Sequence, residues 1–314
     1  LFTAAPVGIG IMEDHRLTAA NDELCRMVGY TVEELAGRSC DTLFAEPEEC
    51  RRLAEAAAAR FAEGGVLSLE TRWRRKDGVV REVFLRCAPL QLEKGGQAVT
   101  ITALDITDRK EAERQIEDGA RKLHDMMDGS IRAISAALEM RDPYTAGHER
   151  RVADLAHAIG AEMGLTANTL EGIRIAGYLH DIGKIAVPSE ILNKPGRLNT
   201  YELGIIKAHP QIGYDILTQI SFVWPVAQAT LQHHERLDGS GYPGGLRADQ
   251  IIPEARILAV ADVVEAMSSH RPYRPALGRE CAIQEVRQKK ETLYDPQAVE
   301  ACIRVLEAEP AKYL

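Results

Sequence analysis

The sequence lacks long apolar runs, contains few aromatic residues and carries no excess of positive charge, and each shortage excludes a class of protein. No apolar stretch approaches the roughly 20 residues that a membrane-spanning helix needs, so we expect no membrane segment within these 314 residues. The net charge of −9 disfavours long nucleic acid as a partner, because such binding depends on neutralising phosphates with Lys and Arg. Aromatic residues make up only 5% of the 314 residues, so the core must rest mainly on Leu, Ile, Val and Ala.

Cysteine is also scarce, and its spacing predicts neither a disulfide framework nor a thiolate metal site. The six residues form no C-x-x-C pair and lie at Cys25, Cys40, Cys50, Cys87, Cys281 and Cys302. We interpret them as reduced thiols in a cytoplasmic protein. The chain length corresponds to two domains, at roughly 100–200 residues per domain.

The first third of the chain, residues 1–109, alternates short strand-like and helical segments. A strand is predicted from Val7 to Met12, and a helix from Asn21 to Val28 ends at Gly29, a residue suited to a helix C-cap. Further predicted elements are a capping box at Thr31–Glu34, an Ala-rich helix from Arg51 to Glu63, and strands at 66–73, 79–90 and 97–106, with Lys76-Asp77-Gly78 as a hairpin turn. This mixture predicts an α+β domain.

Three segments of this region, AANDELCRMVGYTVEELAGRS, RWRRKDG and ALDITDRKEAE, resemble a PAS domain of the S-box type. The resemblance implies an α+β sensor over residues 1–109 that binds a small ligand or dimerises. Its ligand stays unassigned. Gly37-Arg38-Ser39-Cys40 differs from the cysteine motif of flavin photosensors, because Asp41-Thr42-Leu43 follows it. Haem would need an axial ligand, and His15 is the only histidine before the linker.

A long helix without proline is predicted after Arg109, and its apolar positions have heptad spacing. They recur at alternating intervals of four and three residues: Ile116, Ala120, Leu123, Met127, Ser130, Ile134 and Ala137. We interpret residues 110–135 as a helical, coiled-coil-type linker, and we expect a homodimer through this helix and the PAS domain. The alternative is an amphipathic helix that packs on its own domain.

The remainder of the chain is predicted to be all-α. Periodic apolar stretches occur at 152–163, 170–179, 205–220, 226–234, 257–267 and 282–293, without a comparable strand pattern. Histidines and carboxylates are interleaved with these stretches: His148, His180, Asp181, His209, His233, His234 and Asp262. Asp262 lies within ILAVADVVEAM, where burying a charge is costly unless it is paired or binds a metal.

Each of these residues alone has an ordinary explanation, such as a core or surface histidine. Together, imidazole and carboxylate side chains between apolar helices predict a metal centre suited to Zn, Fe or Mn, with no thiol in the pattern. His180 and Asp181 are adjacent and form the expected centre of the site. We take His157 and His270 as controls with no metal role.

Five segments of this region occur in order and resemble the HD-GYP family of cyclic di-GMP phosphodiesterases: YTAGHERRV, YLHDIGKI, KAHPQIGYDIL, HHERLDGSGYPGGL and ADVVEAMSSHRPYRPA. The resemblance implies a multi-helix HD domain over residues 136–314 that hydrolyses cyclic di-GMP to pGpG, and to GMP where both linkages are cut. It implies metal ligation by His148, His180, Asp181, His209, His233, His234 and Asp262, with Asp181 bridging two ions. It implies substrate contacts from Lys184, Gly241, Tyr242, Arg271 and Arg274, with Asp181 and Lys184 as the catalytic pair.

One departure from the family bears on the number of metal ions. Some members carry a Glu one helical turn before the first histidine ligand, and that Glu helps to recruit a third ion. Tyr144 occupies this position here, and Glu149 follows His148 on a different face. We therefore expect two divalent ions, and the mixed donor set favours Fe or Mn over Zn.

Two alternative functions stay open. The first is a low-turnover hub that binds nucleotide or, through the Gly241-Tyr242-Pro243 region, protein partners. The second is hydrolysis of another cyclic dinucleotide, such as mixed GMP-AMP, because the sequence does not identify the residues that read the bases. The complete ligand set favours an active cyclic di-GMP phosphodiesterase that the PAS domain regulates.

Overall fold

The structure is a computed structural model that describes residues 5–91, 97–141, 147–194, 196–269, 276–309 and 313. The chain divides into two compact units between Leu123 and His124. The predicted limits of the PAS domain, linker and HD domain (1–109, 110–135 and 136–314) stay predictions. Among the described residues, no helix combines the length and the apolar character that crossing a membrane requires.

The described part of the first unit contains a five-stranded antiparallel sheet. Its strands are β1 (Gly8–Glu13), β2 (Arg16–Ala20), β3 (Leu67–Arg74), β4 (Val80–Gln91) and β5 (Gln97–Asp105), in the order β2-β1-β5-β4-β3. Four of them match predicted or partly predicted strands, whereas β2 was not predicted. The reason is that only Leu17 of β2 is buried, so this strand has almost no alternating pattern in the sequence.

Three helices pack beside the sheet: α1 (Asp22–Val28), α2 (Val32–Leu35) and α3 (Pro47–Ala62). Asn21 caps α1 by accepting a hydrogen bond from the Leu24 amide, and Gly29 ends it at φ 75°. Thr31 and Glu34 form the predicted capping box of α2. The predicted α+β class of this domain is confirmed.

The predicted long helix is present as α4 (Thr107–Glu139). Near its end, Ile131, Ser135 and Leu138 are buried at i, i+4, i+7 spacing, and both apolar residues join the core of the second unit. Two of the heptad positions further upstream are exposed, since Ile116 is 72% and Leu123 69% accessible. The helix therefore has a packed end and an exposed apolar stripe.

The described part of the second unit consists of helices and contains no strand, which confirms the all-α prediction. The helices are α5 (His148–Glu162), α6 (Ala167–Leu179), α7 (Ser189–Leu192), α8 (Thr200–Lys207), α9 (His209–Leu217), α10 (Val226–Gln232), α11 (Pro253–Ser268), α12 (Arg279–Gln288) and α13 (Pro296–Ala308). The periodic apolar stretch over 205–220 is divided between two helices, α8 and α9. Pro210 lies in the first turn of α9, where it is tolerated, but it would break a continuous helix.

The core of the second unit is built around α5, α6 and α11. Their buried faces supply residues such as Leu155, Ile173 and Leu258, each with no exposed surface. Helices α5 and α6 approach closely at Gly177, where a Cβ atom would lie only 2.5 Å from the Ala153 Cα. Polar side chains on these helices point into the same interior, and they form the site described next.

Candidate metal centre

Seven polar side chains converge in the interior of the second unit, each delivered by the end or the middle of a helix. His148 is the first residue of α5, and His180-Asp181 follows the last residue of α6. His209 opens α9, His233-His234 follows α10, and Asp262 lies within α11. All of these residues are buried except His234, which is half-buried. Such a set of buried polar groups requires partners among its own members or a bound cation.

The donor atoms fall into two groups, and within each group they lie no more than 4.8 Å apart. One group contains Asp181, His209, His233 and His234, and the other contains His148, His180 and Asp262. The structure thus brings together every residue that the sequence proposed as a metal ligand.

Asp181 lies between the two groups and presents one carboxylate oxygen to each. Its Oδ1 is 3.1 Å from His209 Nε2, whereas its Oδ2 is 3.4 Å from His180 Nε2 and 3.9 Å from His148 Nε2. Burial alone would raise the pKa of Asp181, but Lys184 and the nearby imidazoles hold this pKa well below its usual range. Asp181 is therefore a carboxylate with both oxygens available to cations.

Three of the histidines are oriented by hydrogen bonds to backbone carbonyls three residues earlier. The Nδ1 atoms of His180, His209 and His233 donate to the carbonyls of Gly177, Ile206 and Thr230 at 2.7, 2.7 and 2.6 Å. A carbonyl can only accept, so each ring carries its proton on Nδ1 and directs the lone pair of Nε2 into the site. Such bonds fix the tautomer of metal-binding histidines.

Two of the inward-facing nitrogens, on His180 and His233, have no satisfactory partner within the described part of the protein. His209 Nε2 and His233 Nε2 are 3.3 Å apart, so two lone pairs face each other. His180 Nε2 is buried without a hydrogen-bond partner among the described residues. Burial lowers the pKa of His180 and holds that of His233 well below its usual range, which disfavours protonation as a remedy. Divalent cations would satisfy these nitrogens, so the residues fit a metal centre.

Glu265 is part of this centre, although it was not identified from the sequence. This fully buried carboxylate accepts a hydrogen bond from His148 Nδ1 through one oxygen. Its other oxygen accepts from Arg151 Nε at 2.7 Å and Ser269 Oγ at 2.6 Å. Glu265 lies three residues after Asp262 on α11, as Arg151 lies three residues after His148 on α5. That matched spacing could have revealed the pairing.

The charge around His148 is balanced by two carboxylates. Burial lowers the pKa of His148, but hydrogen bonds to Asp262 and Glu265 outweigh burial and raise the pKa to about 9. His148 Nε2 lies 3.3 Å from Asp262 Oδ1, and this nitrogen is the atom available to a metal. The pKa of Glu265 falls to about 2 despite burial, because of its bond to His148.

Lys184 lies beside Asp181, as its spacing predicted. Its Nζ is 2.5 Å from Asp181 Oδ2, and its side chain is partly exposed. The short turn Ile182–Ala186 packs against the start of α9 at Gly183, where a Cβ atom would collide with the His209 carbonyl. A glycine at this position therefore allows Asp181 and His209 to meet.

The Gly241-Tyr242 loop covers the His234 side of the centre. The Tyr242 ring stacks on the His234 ring, with centroids 4.7 Å apart and an interplanar angle of 29°. Lys207 Nζ lies 5.0 Å from the Tyr242 ring centroid. The loop is held by Glu235, whose carboxylate accepts hydrogen bonds from the Gly244 and Leu246 amides at 2.6 and 2.9 Å.

Several sequence predictions lie outside these contacts. Arg271, Arg274, Tyr144 and the control His270 fall outside the described residues. The control His157 belongs to neither donor group. Glu149 is buried, and its Oε2 has no hydrogen-bond partner among the described residues; burial raises its pKa to about 8.

A third, partly exposed set of donors consists of His124, Asp128 and Glu171. Arg174 already pairs with both of its carboxylates, at 2.7 Å to Asp128 and 2.6 Å to Glu171. The Arg174 guanidinium therefore balances these carboxylates, and the set needs no metal ion for that purpose.

Comparison with known proteins adds two family matches. Residues 132–298 match the family model described as HD domain, and residues 6–108 match the model described as PAS domain. An HD domain implies divalent metal binding, in agreement with the donor set in the structure.

Three curated relatives match the chain over more than half of its length. The cyclic di-GMP phosphodiesterase response regulator RpfG of Xanthomonas campestris is 37% identical, over 71% of this chain and 58% of the relative. The cyclic di-GMP phosphodiesterase of Thermotoga maritima is 38% identical, over 62% of this chain and 53% of the relative. The 3′3′-cGAMP-specific phosphodiesterase 3 of Vibrio cholerae is 35% identical, over 58% and 40%. The chain thus matches about half the length of these relatives.

Proposed function

The chain belongs to the HD domain family through residues 132–298 and carries a PAS domain in residues 6–108, and from this premise we propose a metal-dependent phosphodiesterase that hydrolyses cyclic di-GMP to pGpG. One observation carries the proposal: two groups of donor atoms lie on either side of Asp181, and the Nε2 atoms of His209 and His233 are only 3.3 Å apart. Two relatives named as cyclic di-GMP phosphodiesterases support the choice of substrate.

We assign two divalent ions to the site, with Fe or Mn favoured. His209, His233 and His234 would hold one ion, and His148, His180 and Asp262 would hold the other, with Asp181 placed between the two groups. All seven side chains offer nitrogen or oxygen and none offers a thiolate, which suits Fe or Mn. When bound, the ions supply positive charge at the phosphoryl oxygens and acidify the attacking water.

The protein itself supplies orientation and further charge. The Nδ1–H bonds of His180, His209 and His233 hold their rings in place, so the donor atoms need not reorganise during the reaction. Lys184 is partly exposed beside Asp181, where its ammonium group can contact a substrate phosphate as negative charge grows on it.

The Tyr242 face beside His234 offers a stacking surface for the remainder of the dinucleotide. Gly241 belongs to the same loop. Arg271 and Arg274 complete the proposed set of substrate contacts by resemblance alone.

The test is turnover of cyclic di-GMP by the full chain after loading with Mn²⁺, measured by chromatographic separation of the nucleotides. We expect pGpG to form, and we expect chelation to abolish the reaction. Binding of cyclic di-GMP without turnover would instead favour the hub function.

A second substrate is supported by one observation, namely the 35% identity to a 3′3′-cGAMP-specific enzyme. Parallel assays with cyclic di-GMP and 3′3′-cGAMP decide between the two, since the better substrate has the higher kcat/KM. A preference for 3′3′-cGAMP would keep the chemistry and change the substrate.

We further propose that the protein is a homodimer through α4 and the PAS domain. The exposed side chains of Ile116 and Leu123 lie at heptad spacing, and a parallel partner helix would cover them. In such a dimer, the PAS domain acts as the sensor that regulates hydrolysis.

A further inference from the structure

The first unit contains a cavity of about 200 Å³ that is lined partly by cysteine. Its wall is otherwise mainly apolar, with Leu53, Phe61 and Trp73 among its side chains. Three cysteines also line it: Cys40 at the start of the short turn Cys40–Leu43, Cys50 on α3 and Cys87 on β4. Three separate elements of the fold therefore direct sulfur atoms to one place.

Two of these thiols are in direct contact. Cys40 Sγ and Cys50 Sγ are 2.9 Å apart, and each residue is only 6% exposed. Most buried cysteines pack as small hydrophobic side chains. Cys87 and Cys302 are of this kind: burial raises their pKa to about 11 and about 12, which keeps them as neutral thiols. Cys40 differs from them in having a second thiol as its neighbour.

The contact makes the two sulfur atoms chemically unequal. The contact with Cys50 Sγ lowers the pKa of Cys40 to about 7 despite burial, and the neighbouring His15 contributes to the same shift. The pKa of Cys50 is raised in turn. Cys40 is thus the nucleophile of the pair, since the thiolate is the reactive form.

The pair is accessible to a small reagent from outside. Cys40, Cys50, His15 and Arg51 also line a surface pocket of about 480 Å³. Hydrogen peroxide is small enough to fit a pocket of this volume.

We propose that Cys40 and Cys50 form a dithiol that hydrogen peroxide oxidises reversibly to a disulfide. The Cys40 thiolate attacks one peroxide oxygen, the O–O bond breaks, and Cys40 sulfenic acid and hydroxide form. The Cys50 thiol then attacks the Cys40 sulfur, which forms the S–S bond and releases water. The hydroxide takes the proton first lost by Cys40, so two thiols and one peroxide give one disulfide and two waters.

The required movement is small. The sulfur atoms must approach from 2.9 Å to the roughly 2.05 Å of a disulfide bond. Cys40 and Cys50 are ten positions apart in the sequence, and residues 44–46 connect the short turn to α3.

The test exposes the full chain to stoichiometric hydrogen peroxide after loading with Mn²⁺ in iron-free buffer, because iron would convert peroxide to radicals. We expect a mass loss of about 2 Da, corresponding to two hydrogens, and a Cys40–Cys50 linked peptide after digestion. Dithiothreitol should restore the original mass. In Cys50→Ser, the Cys40 sulfenic acid should persist and be trapped by dimedone.

Two variants serve as controls. Cys40→Ser should give neither the linked peptide nor dimedone labelling at Cys50, whereas Cys25→Ser, which alters a cysteine on α1, should behave as the wild type. Circular dichroism confirms that each variant is folded. Oxidation of the exposed Cys281 before the pair, or a wild type that stays fully reduced, would overturn the proposal.

Discussion

Replacing Glu265 with Gln isolates the contribution of one buried carboxylate to one half of the metal centre. The substitution keeps the size of the side chain and removes its charge. In the wild type, both oxygens of Glu265 accept: one from His148 Nδ1, the other from Arg151 and Ser269. The amide that Glu265→Gln introduces would have to turn its NH2 group toward one of these donors, so either His148 or Arg151 loses its acceptor.

The expected size of the effect follows from the position of Glu265 behind a ligand. Loss of a hydrogen-bond partner of a metal-binding histidine typically lowers metal affinity about 10–100-fold. This corresponds to about 1.4–2.8 kcal/mol. The loss should fall on the group that contains His148, His180 and Asp262, because the other group has no contact with Glu265 among the described residues.

The assay is a competitive Mn²⁺ titration against a chromophoric chelator, with metal content measured after gel filtration. Glu265→Gln should keep one tight site and weaken the second, so that about one ion per chain remains under limiting metal. Glu285→Gln, a matched change at a Lys-paired carboxylate on α12, should retain both sites. Equal affinities in Glu265→Gln and wild type would refute the reasoning. So would equal weakening of both sites in a variant whose thermal unfolding is unchanged.

Three further predictions concern charge, protons and assembly. Lys184→Ala should lower kcat about 10²–10³-fold with both metals retained, because it removes charge stabilisation of the transition state; loss of metal in this variant would contradict that role. The metal-free chain should lose stability as pH rises from 6.5 through about 9 in urea titrations. His148, with a pKa of about 9, and Glu149, with a pKa of about 8, hold protons in the folded state that the unfolded chain releases at 6.5 and 4.5. Stability that increases over this range would contradict the assignment. Leu123 is exposed on α4, so Leu123→Glu should shift the mass measured by light scattering from dimer to monomer. An unchanged mass would exclude the exposed apolar stripe of α4 as the dimer interface.

The donor set of the metal centre was predictable because its signal is local. His148, His180-Asp181, His209, His233-His234 and Asp262 stand at the ends or in the middle of apolar helical stretches, where isolated polar side chains are costly to bury. Their division into two groups around Asp181 depends on how α5, α6, α9, α10 and α11 pack, and it came only from the structure.

Other features leave no local pattern in the sequence, so they were not predicted. In the sequence, Glu265 is indistinguishable from other charged residues of a helix. Its hydrogen bond to His148 depends on the packing of α5 against α11. The Cys40–Cys50 contact joins a short turn to the first turns of α3, and their ten-residue separation in the sequence carries no pairing signal. β2 has one buried residue, too few for a period-2 pattern.

The most direct test of the two-metal phosphodiesterase is metal content and turnover measured together, for the wild type and Asp181→Ala purified anaerobically. We predict about two Fe or Mn ions per wild-type chain with cleavage of cyclic di-GMP, and loss of turnover and of at least one ion in Asp181→Ala, since this carboxylate presents one oxygen to each group. Full turnover in a metal-free wild type, or two retained ions with unchanged turnover in Asp181→Ala, would contradict it.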